Sequence, residues 1–235
     1  MQSIAGFGFS LFAIATLIML DYSLPEAVIL STFGSTIQRC IGVAALRRSV
    51  DWSTLAPLIF LGILVIPIGI WLLYSLSLQE KLFVGQVFGI LLIVTLTIRS
   101  FFKITVQDKI HWCWGYLAAF FSGILNGLAN IGGPPLVLWI QAQRWTTEKK
   151  RVSILLFTLS YVPFQFIYLY MGFGNIFPKI LTVGFFSIPT LVIGTFIGLA
   201  IGKKVSDKLL RVISYSILMV LGFFLILNPL IGQTK

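Results

Sequence analysis

The stretch Gly123-Ile124-Leu125-Asn126-Gly127-Leu128-Ala129-Asn130-Ile131-Gly132-Gly133-Pro134-Pro135-Leu136-Val137-Leu138 constrains this chain more than any other. It lies inside an apolar run, 112–142, that otherwise reads as membrane helix. Its glycines, paired prolines and two asparagines oppose a continuous helix. Glycine loses the most backbone entropy on ordering, and an interior proline removes a hydrogen bond and clashes with the preceding turn. At membrane depth a broken backbone is tolerated only where protein buries it or it lines a wet cavity, so the break is a candidate site.

That reading needs the chain to be a membrane protein, and composition supplies the reason. Only 10% of the residues are charged and 58% are hydrophobic, against about 25% charged in a soluble domain. Apolar runs cover 1–20, 25–46, 53–75, 82–102, 112–142, 150–172, 178–201 and 209–231. Runs of about 20 residues suit transmembrane helices, whereas barrel strands alternate over about ten. The expectation is an all-α integral membrane protein with the lipid bilayer as partner. The net charge of +10, which in a soluble chain suggests nucleic acid, reads here as cytoplasmic loops, and no nucleic-acid partner is expected. Cys40 and Cys113 lack metal-ligand spacing and read as inert packing residues; no cofactor is expected. Residues 1–20 lack the basic start of a cleaved signal peptide.

An internal repeat divides the chain. Gly62-Ile63-Leu64-Val65-Ile66-Pro67 matches Gly184-Phe185-Phe186-Ser187-Ile188-Pro189 at an offset of 122, which also pairs Glu26 with Glu148, Ser31 with Ser153 and Thr36 with Thr158. Gly6-Phe7-Gly8-Phe9-Ser10 is similar to Asn130-Ile131-Gly132-Gly133-Pro134 at an offset of 124. The expected halves are 1–111 and 112–235, each a re-entrant or broken helical hairpin followed by three transmembrane helices. By the repeat, the first arm of hairpin one is expected to be missing or reduced. If 112–142 dips in and returns to its own side, thirteen Lys and Arg face the cytoplasm, in loops after 46, 102, 142 and 201, and three (Lys81, Lys179, Lys235) face outward. If every run crosses, the basic residues divide almost evenly. The positive-inside rule therefore favours re-entrant hairpins, an inverted repeat and a multi-pass protein of the cell membrane. Two half-helices of about 12 residues, each about 18 Å long, would reach the midplane.

The paired Gly6-Phe7-Gly8-Phe9 and Gly127-x-x-Asn130-Ile131-Gly132-Gly133-Pro134-Pro135 motifs, the half-length repeat and the basic stretch 144–151 resemble the sulfite exporter TauE/SafE family. The resemblance covers nearly the whole chain, with Asn130 standing where glycine is more usual. It implies a secondary transporter that exports sulfite, sulfoacetate or similar sulfur-containing anions.

The residues themselves support anion chemistry. Proline is favoured in a first helical turn, so a helix restarts at Pro134 with its donors and positive dipole end at the break. Gly132 and Gly133, the amides of Asn126 and Asn130 and, from hairpin one, Gly6, Gly8 and Ser10 are the candidate cradle; close helix packing is the alternative role for the glycines. Thr36, Gln38, Thr158 and Gln165 add polarity to the helices after each hairpin. Thr32, Ser35, Thr36 and Arg39 share one face, lining a path or forming interhelical hydrogen bonds. Arg39 either binds an oxyanion or snorkels to the surface beside Arg47. Pro67, Pro163 and Pro189 mark expected kinks. Lys149, Lys150, Arg151, Lys203 and Lys204 either concentrate anions at an entrance or set topology alone.

Every acidic residue falls at a segment end or in a loop, and so does His111. With no intramembrane proton relay, the expected driving force is the membrane potential. Without HExxH, GxSxG or a paired intramembrane Asp, the chain is not read as an enzyme. Alternating access between the halves is the expected mechanism; a passive anion channel and a structural membrane subunit are the alternatives, and homo-oligomerisation is left open.

Overall fold

A computed structural model describes residues 8–46, 51–101, 110–204 and 207–232, and helices dominate them. In chain order these are α1 (Gly8–Met19), α2 (Leu24–Leu46), α3 (Trp52–Ser77), α4 (Lys81–Phe101), α5 (Trp112–Ala129), α6 (Pro134–Ala142), α7 (Thr147–Ser160), α8 (Val162–Phe173), α9 (Phe177–Lys204) and α10 (Asp207–Gly232). The all-α reading holds. By length and composition three spans, Trp52–Ser77, Thr147–Phe173 and Phe177–Gly194, are apolar enough to cross a membrane, with shorter apolar helices at Phe9–Met19, Lys81–Thr97 and Val212–Leu227.

Local chemistry sets the starts. Before α2, Ser23 donates from both its N–H and its hydroxyl to Glu26 Oε2, each at 2.8 Å, so the carboxylate satisfies groups that the helix start would leave bare. Asp51 caps α3, accepting from Ser53 Oγ at 2.6 Å and Thr54 N at 3.4 Å. Thr146 Oγ1 accepts from Lys149 N at 3.2 Å at the start of α7. Pro67 and Pro189 lie inside α3 and α9, and near Pro163 Tyr161 separates α7 from α8.

The break at the glycine-rich stretch is narrower than the sequence suggests. Helix α5 runs through Gly123, Asn126 and Gly127 and stops at Asn130, and α6 restarts at Pro134. The arms are therefore unequal, 18 and 9 residues rather than about 12 each. The reason lies in packing against α3. A Cβ on Gly127 would stand 2.5 Å from Ile66 O, one on Gly123 2.6 Å from Gly62 O, and one on Gly69 would collide with Ile124 O. These glycines let two helix backbones touch, as small residues do between membrane helices. A similar seam joins α4 to α10, where a Cβ on Gly89 would lie 2.8 Å from Gly222 O.

Side chains tie particular helix ends together. The rings of Trp112, at the start of α5, and Trp139, near the end of α6, are 6.4 Å apart, and Trp139 is 5.9 Å from Trp145. Lys149 Nζ sits 4.6 Å above the Trp145 ring and pairs with Asp51 Oδ2 at 2.8 Å. Both open ends of the α5–α6 hairpin, the start of α7 and the start of α3 thus share one end of the bundle. That ammonium hydrogen bond, with help from Ser53, holds the Asp51 carboxyl well below the usual carboxylate range. At the far end of α3, about 39 Å away at 1.5 Å per residue, Lys81 Nζ donates to Asp21 O at 3.3 Å.

Cys40 and Cys113 are exposed rather than packed inside. Lipid-facing and core positions are equally apolar in a membrane protein, so their surroundings in sequence did not separate the two.

Candidate anion site

Asn130 ends α5 in the left-handed region, with φ 51° and ψ 30°. Among described non-glycine residues only Asp21 shares a positive φ. Asparagine enters that region more readily than most residues bearing a Cβ. Its N–H donates to Asn126 O at 2.8 Å, while Ile131 N–H reaches Leu125 O at 3.2 Å.

The Asn130 amide is the hub of a buried cluster. Its Nδ2 donates to Ser10 Oγ on α1 at 3.1 Å and to Ser35 Oγ on α2 at 3.1 Å, with Ser31 Oγ at 3.5 Å. Its Oδ1 accepts from Arg39 Nη2 at 3.0 Å. Arg39 Nη1 donates to the Thr158 carbonyl at 3.3 Å. The break at Tyr161 frees that carbonyl, because the last carbonyls of a helix have no intrahelical donor. Ser35 and Thr158 each lie eleven residues into their helices, about 16 Å from the starts of α2 and α7, which is near mid-depth.

Arg39 is 2% exposed, and its Nε has no partner. Both groups that it bonds are neutral, and among the described residues it forms no ion pair. The snorkelling alternative is therefore excluded. A cation held away from water without a counter-charge costs several kcal/mol, and a guanidinium offers five N–H donors in a fork suited to oxyanions. The place where the described residues leave a positive charge without a counter-ion is also a place where two helices break.

A second polar pair sits one turn back along α5. Asn126 Nδ2 donates to Gln165 Oε1 at 3.1 Å, and Gln165 Nε2 returns a bond to Asn126 O at 2.9 Å. Gly132 closes over it: a Cβ there would stand 2.6 Å from Asn126 Cβ.

The start of α6 offers fewer donors than the two prolines alone would leave. Pro134 and Pro135 have no N–H. Leu136 N–H is taken by Ser122 Oγ at 3.1 Å, and Val137 N–H closes the first helical bond to Gly133 O at 2.8 Å. The tip amides of Gly132 and Gly133 remain, so the positive potential here comes chiefly from Arg39.

Of the residues singled out by sequence, Ser10, Arg39 and Asn130 meet directly, Asn126 and Gln165 pair beside them, and Gly132 and Gly133 form the tip. Thr36 and Thr158 turn their hydroxyls onto their own helices, to Thr32 O at 2.6 Å and Ile154 O at 2.9 Å. Gln38 is half-buried next to Arg39, Gly8 opens α1, and Gly6 lies outside the described residues. Ser31 joins the network, and Ser122 holds the start of α6, without either having been singled out as a site residue. Ser31, Ser35 and Arg39 recur at every fourth position of α2, a spacing that was available as a signal.

Fold and cluster together define an α-helical membrane protein with a buried cation, at a helix break, that has no counter-charge among the described residues. The profile of the family described as Sulfite exporter TauE/SafE matches residues 1–225, and the chain belongs to that family of membrane transporters. No curated protein and no solved structure matched.

Proposed function

We propose that this protein exports small sulfur-containing anions, sulfite or short organosulfonates, by alternating access between two halves, 1–111 and 112–235. The observation that carries the proposal is Arg39, a buried cation whose partners among the described residues are neutral. A sulfonate or sulfite group is the counter-charge such a site lacks, and its oxygens match the guanidinium fork and the serine hydroxyls.

The geometry also supports the topology read from charge. The Asp51–Lys149 pair brings the segments after 46 and 142 to one end of the bundle, as cytoplasmic loops would require. The Trp112–Trp139 contact supports a hairpin that returns to that same end. Export then needs no proton relay: an anion leaving a negative interior gains about 2.3 kcal/mol per charge per 100 mV.

The test is sulfite efflux from liposomes containing purified protein, with a potassium gradient and valinomycin clamping the potential. Efflux that rises with inside-negative potential and ignores an imposed pH gradient supports the reading. Efflux that needs the pH gradient and is indifferent to potential overturns the driving force, and no saturable efflux at all overturns the transporter.

A further inference from the structure

We propose that the anion leaves through the seam between α1 and α2 into a cavity at the end of the bundle remote from Lys149, past an apolar plug that is closed in this conformation. The inference rests on Arg39 holding the transported anion, and it names the route by which that anion is released.

The cavity measures about 330 Å³, and its walls include Ile18, Tyr22, Leu24, Gln79, Lys81 and Phe224. That is within the range of small-ligand sites, about 300–1,000 Å³. Its polar lining, Asp21, Tyr22, Ser23, Ser77, Gln79 and Lys81, suits a hydrated ion, and Lys81 Nζ, which donates to the Asp21 carbonyl at 3.3 Å, is the cationic group that faces the Asp21 residue across it. Gln79 and Lys81 are exposed, so the cavity meets the surface.

Its floor belongs to the two helices that carry the serines around Asn130. On α1, Ser10, Ile14 and Ile18 recur at every fourth position, and on α2 Leu24, Val28, Ser31 and Ser35 do nearly so, which puts each set on one helix face. One end of each set touches the Asn130 amide and the other lines the cavity. The eight residues from Ser10 to Ile18 span about 12 Å.

The fully buried residues within that distance are apolar. Leu11, Ile14 and Ala15 of α1 and Ala27 and Val28 of α2 are each 0% exposed. The polar lining begins abruptly at the inner edge of the plug, where Ser31 Oγ and Thr32 Oγ1 both donate to Val28 O, at 3.0 and 2.7 Å. A dry constriction of this kind closes a path to ions by excluding water, and a small separation of its walls opens it. An anion at Arg39 is thus one short, breakable apolar segment from a polar cavity that meets the surface.

The test uses single cysteines at Ile18 and Ile14 in a protein lacking Cys40 and Cys113, reconstituted in liposomes. Each is treated on both faces with a sulfonated maleimide, which leaves a stable thioether, and is compared with its own untreated sample for sulfite efflux. Ile18→Cys is expected to react at least tenfold faster than Ile14→Cys and to lose at least tenfold of its efflux once modified. A short alkanesulfonate in turnover, which unlike sulfite does not add to the maleimide, is expected to speed modification of Ile14→Cys as the plug opens. Complete modification at Ile18 with unchanged efflux overturns the route while leaving the Arg39 site standing; Tyr22→Cys, on another wall, repeats the test should Ile18→Cys not fold. Absence of efflux from the parent protein overturns the transport reading and this route with it.

Discussion

Asn126 and Asn130 stand one turn apart on α5 and have opposite surroundings. Asn126 is helical, and it exchanges two hydrogen bonds with Gln165 in a neutral arrangement that holds α5 against α8. Asn130 is left-handed, and its amide joins a guanidinium to serine hydroxyls from two other helices. The first cluster neutralises nothing because it carries no charge. The second carries a charge that no group among the described residues neutralises. The same residue type therefore serves cohesion in one place and leaves an unmet electrostatic demand in the other, and variants can separate the two.

The largest effect is expected at Arg39. Arg39→Met should lower sulfite efflux by at least about a hundredfold, near 2.7 kcal/mol. The midpoint of thermal unfolding in detergent should hold or rise, because replacing a buried charge by an apolar side chain is often neutral or stabilising. A variant that unfolds earlier yet transports normally would make Arg39 a structural residue and erase the contrast.

Asn130 is expected to show an intermediate effect, resolved by two substitutions. Asn130→Gly keeps the left-handed backbone and removes the amide, whereas Asn130→Ala removes the amide and adds about 1–2 kcal/mol of backbone strain. Efflux should fall about tenfold in both, and only the alanine variant should lose stability. Equal stability of the two would mean that the backbone conformation is not what asparagine supplies.

Asn126 and Gln165 are expected to couple weakly. A double-mutant cycle to alanine, read by unfolding in detergent, should return about 0.6 kcal/mol of interaction, with efflux changing far less than in the Arg39 variant. Efflux lost as completely as at Arg39 would merge the two clusters into one site.

The smallest effect belongs to the Asp51–Lys149 pair, which is surface-accessible and contributes about 0.2–1 kcal/mol. Its pH dependence has a definite sign. The folded-state pKa of Asp51 is depressed, so the contribution is complete above the unfolded value of about 3.9. It disappears as pH falls from there through the lower folded value. The stability difference between the parent and Asp51→Asn should be flat from about pH 8 to 5 and shrink below about pH 4.

How much of this could be read in advance follows from what each residue answers to. Gly132-Gly133-Pro134-Pro135 broke the helix where local chemistry said it must, since no packing can return a missing N–H. Gly123 and Gly127 did not break it. Their small size serves α3, a partner that a linear reading does not place opposite them. Arg39 was legible as an expensive residue but not as a buried one, because snorkelling depends on which way α2 faces. The meeting of Ser10, Ser31 and Ser35 at a single amide depends on three helices converging, and no spacing within one helix encodes that. The donors of α6 were over-counted because Ser122, fourteen residues before Leu136, occupies one of them.

The seat of Tyr161 has a mechanical meaning. Its hydroxyl is buried without a partner and lies directly against the bare Cα of Gly62, while the Gly62 carbonyl abuts Gly123 on α5. The bend between α7 and α8 is thus keyed into α3, and α3 into α5, with no slack at either contact. A displacement of Tyr161 therefore presses on α3, and a displacement of α3 presses on α5, so a shift at the bend is passed directly to the helix that carries Asn130.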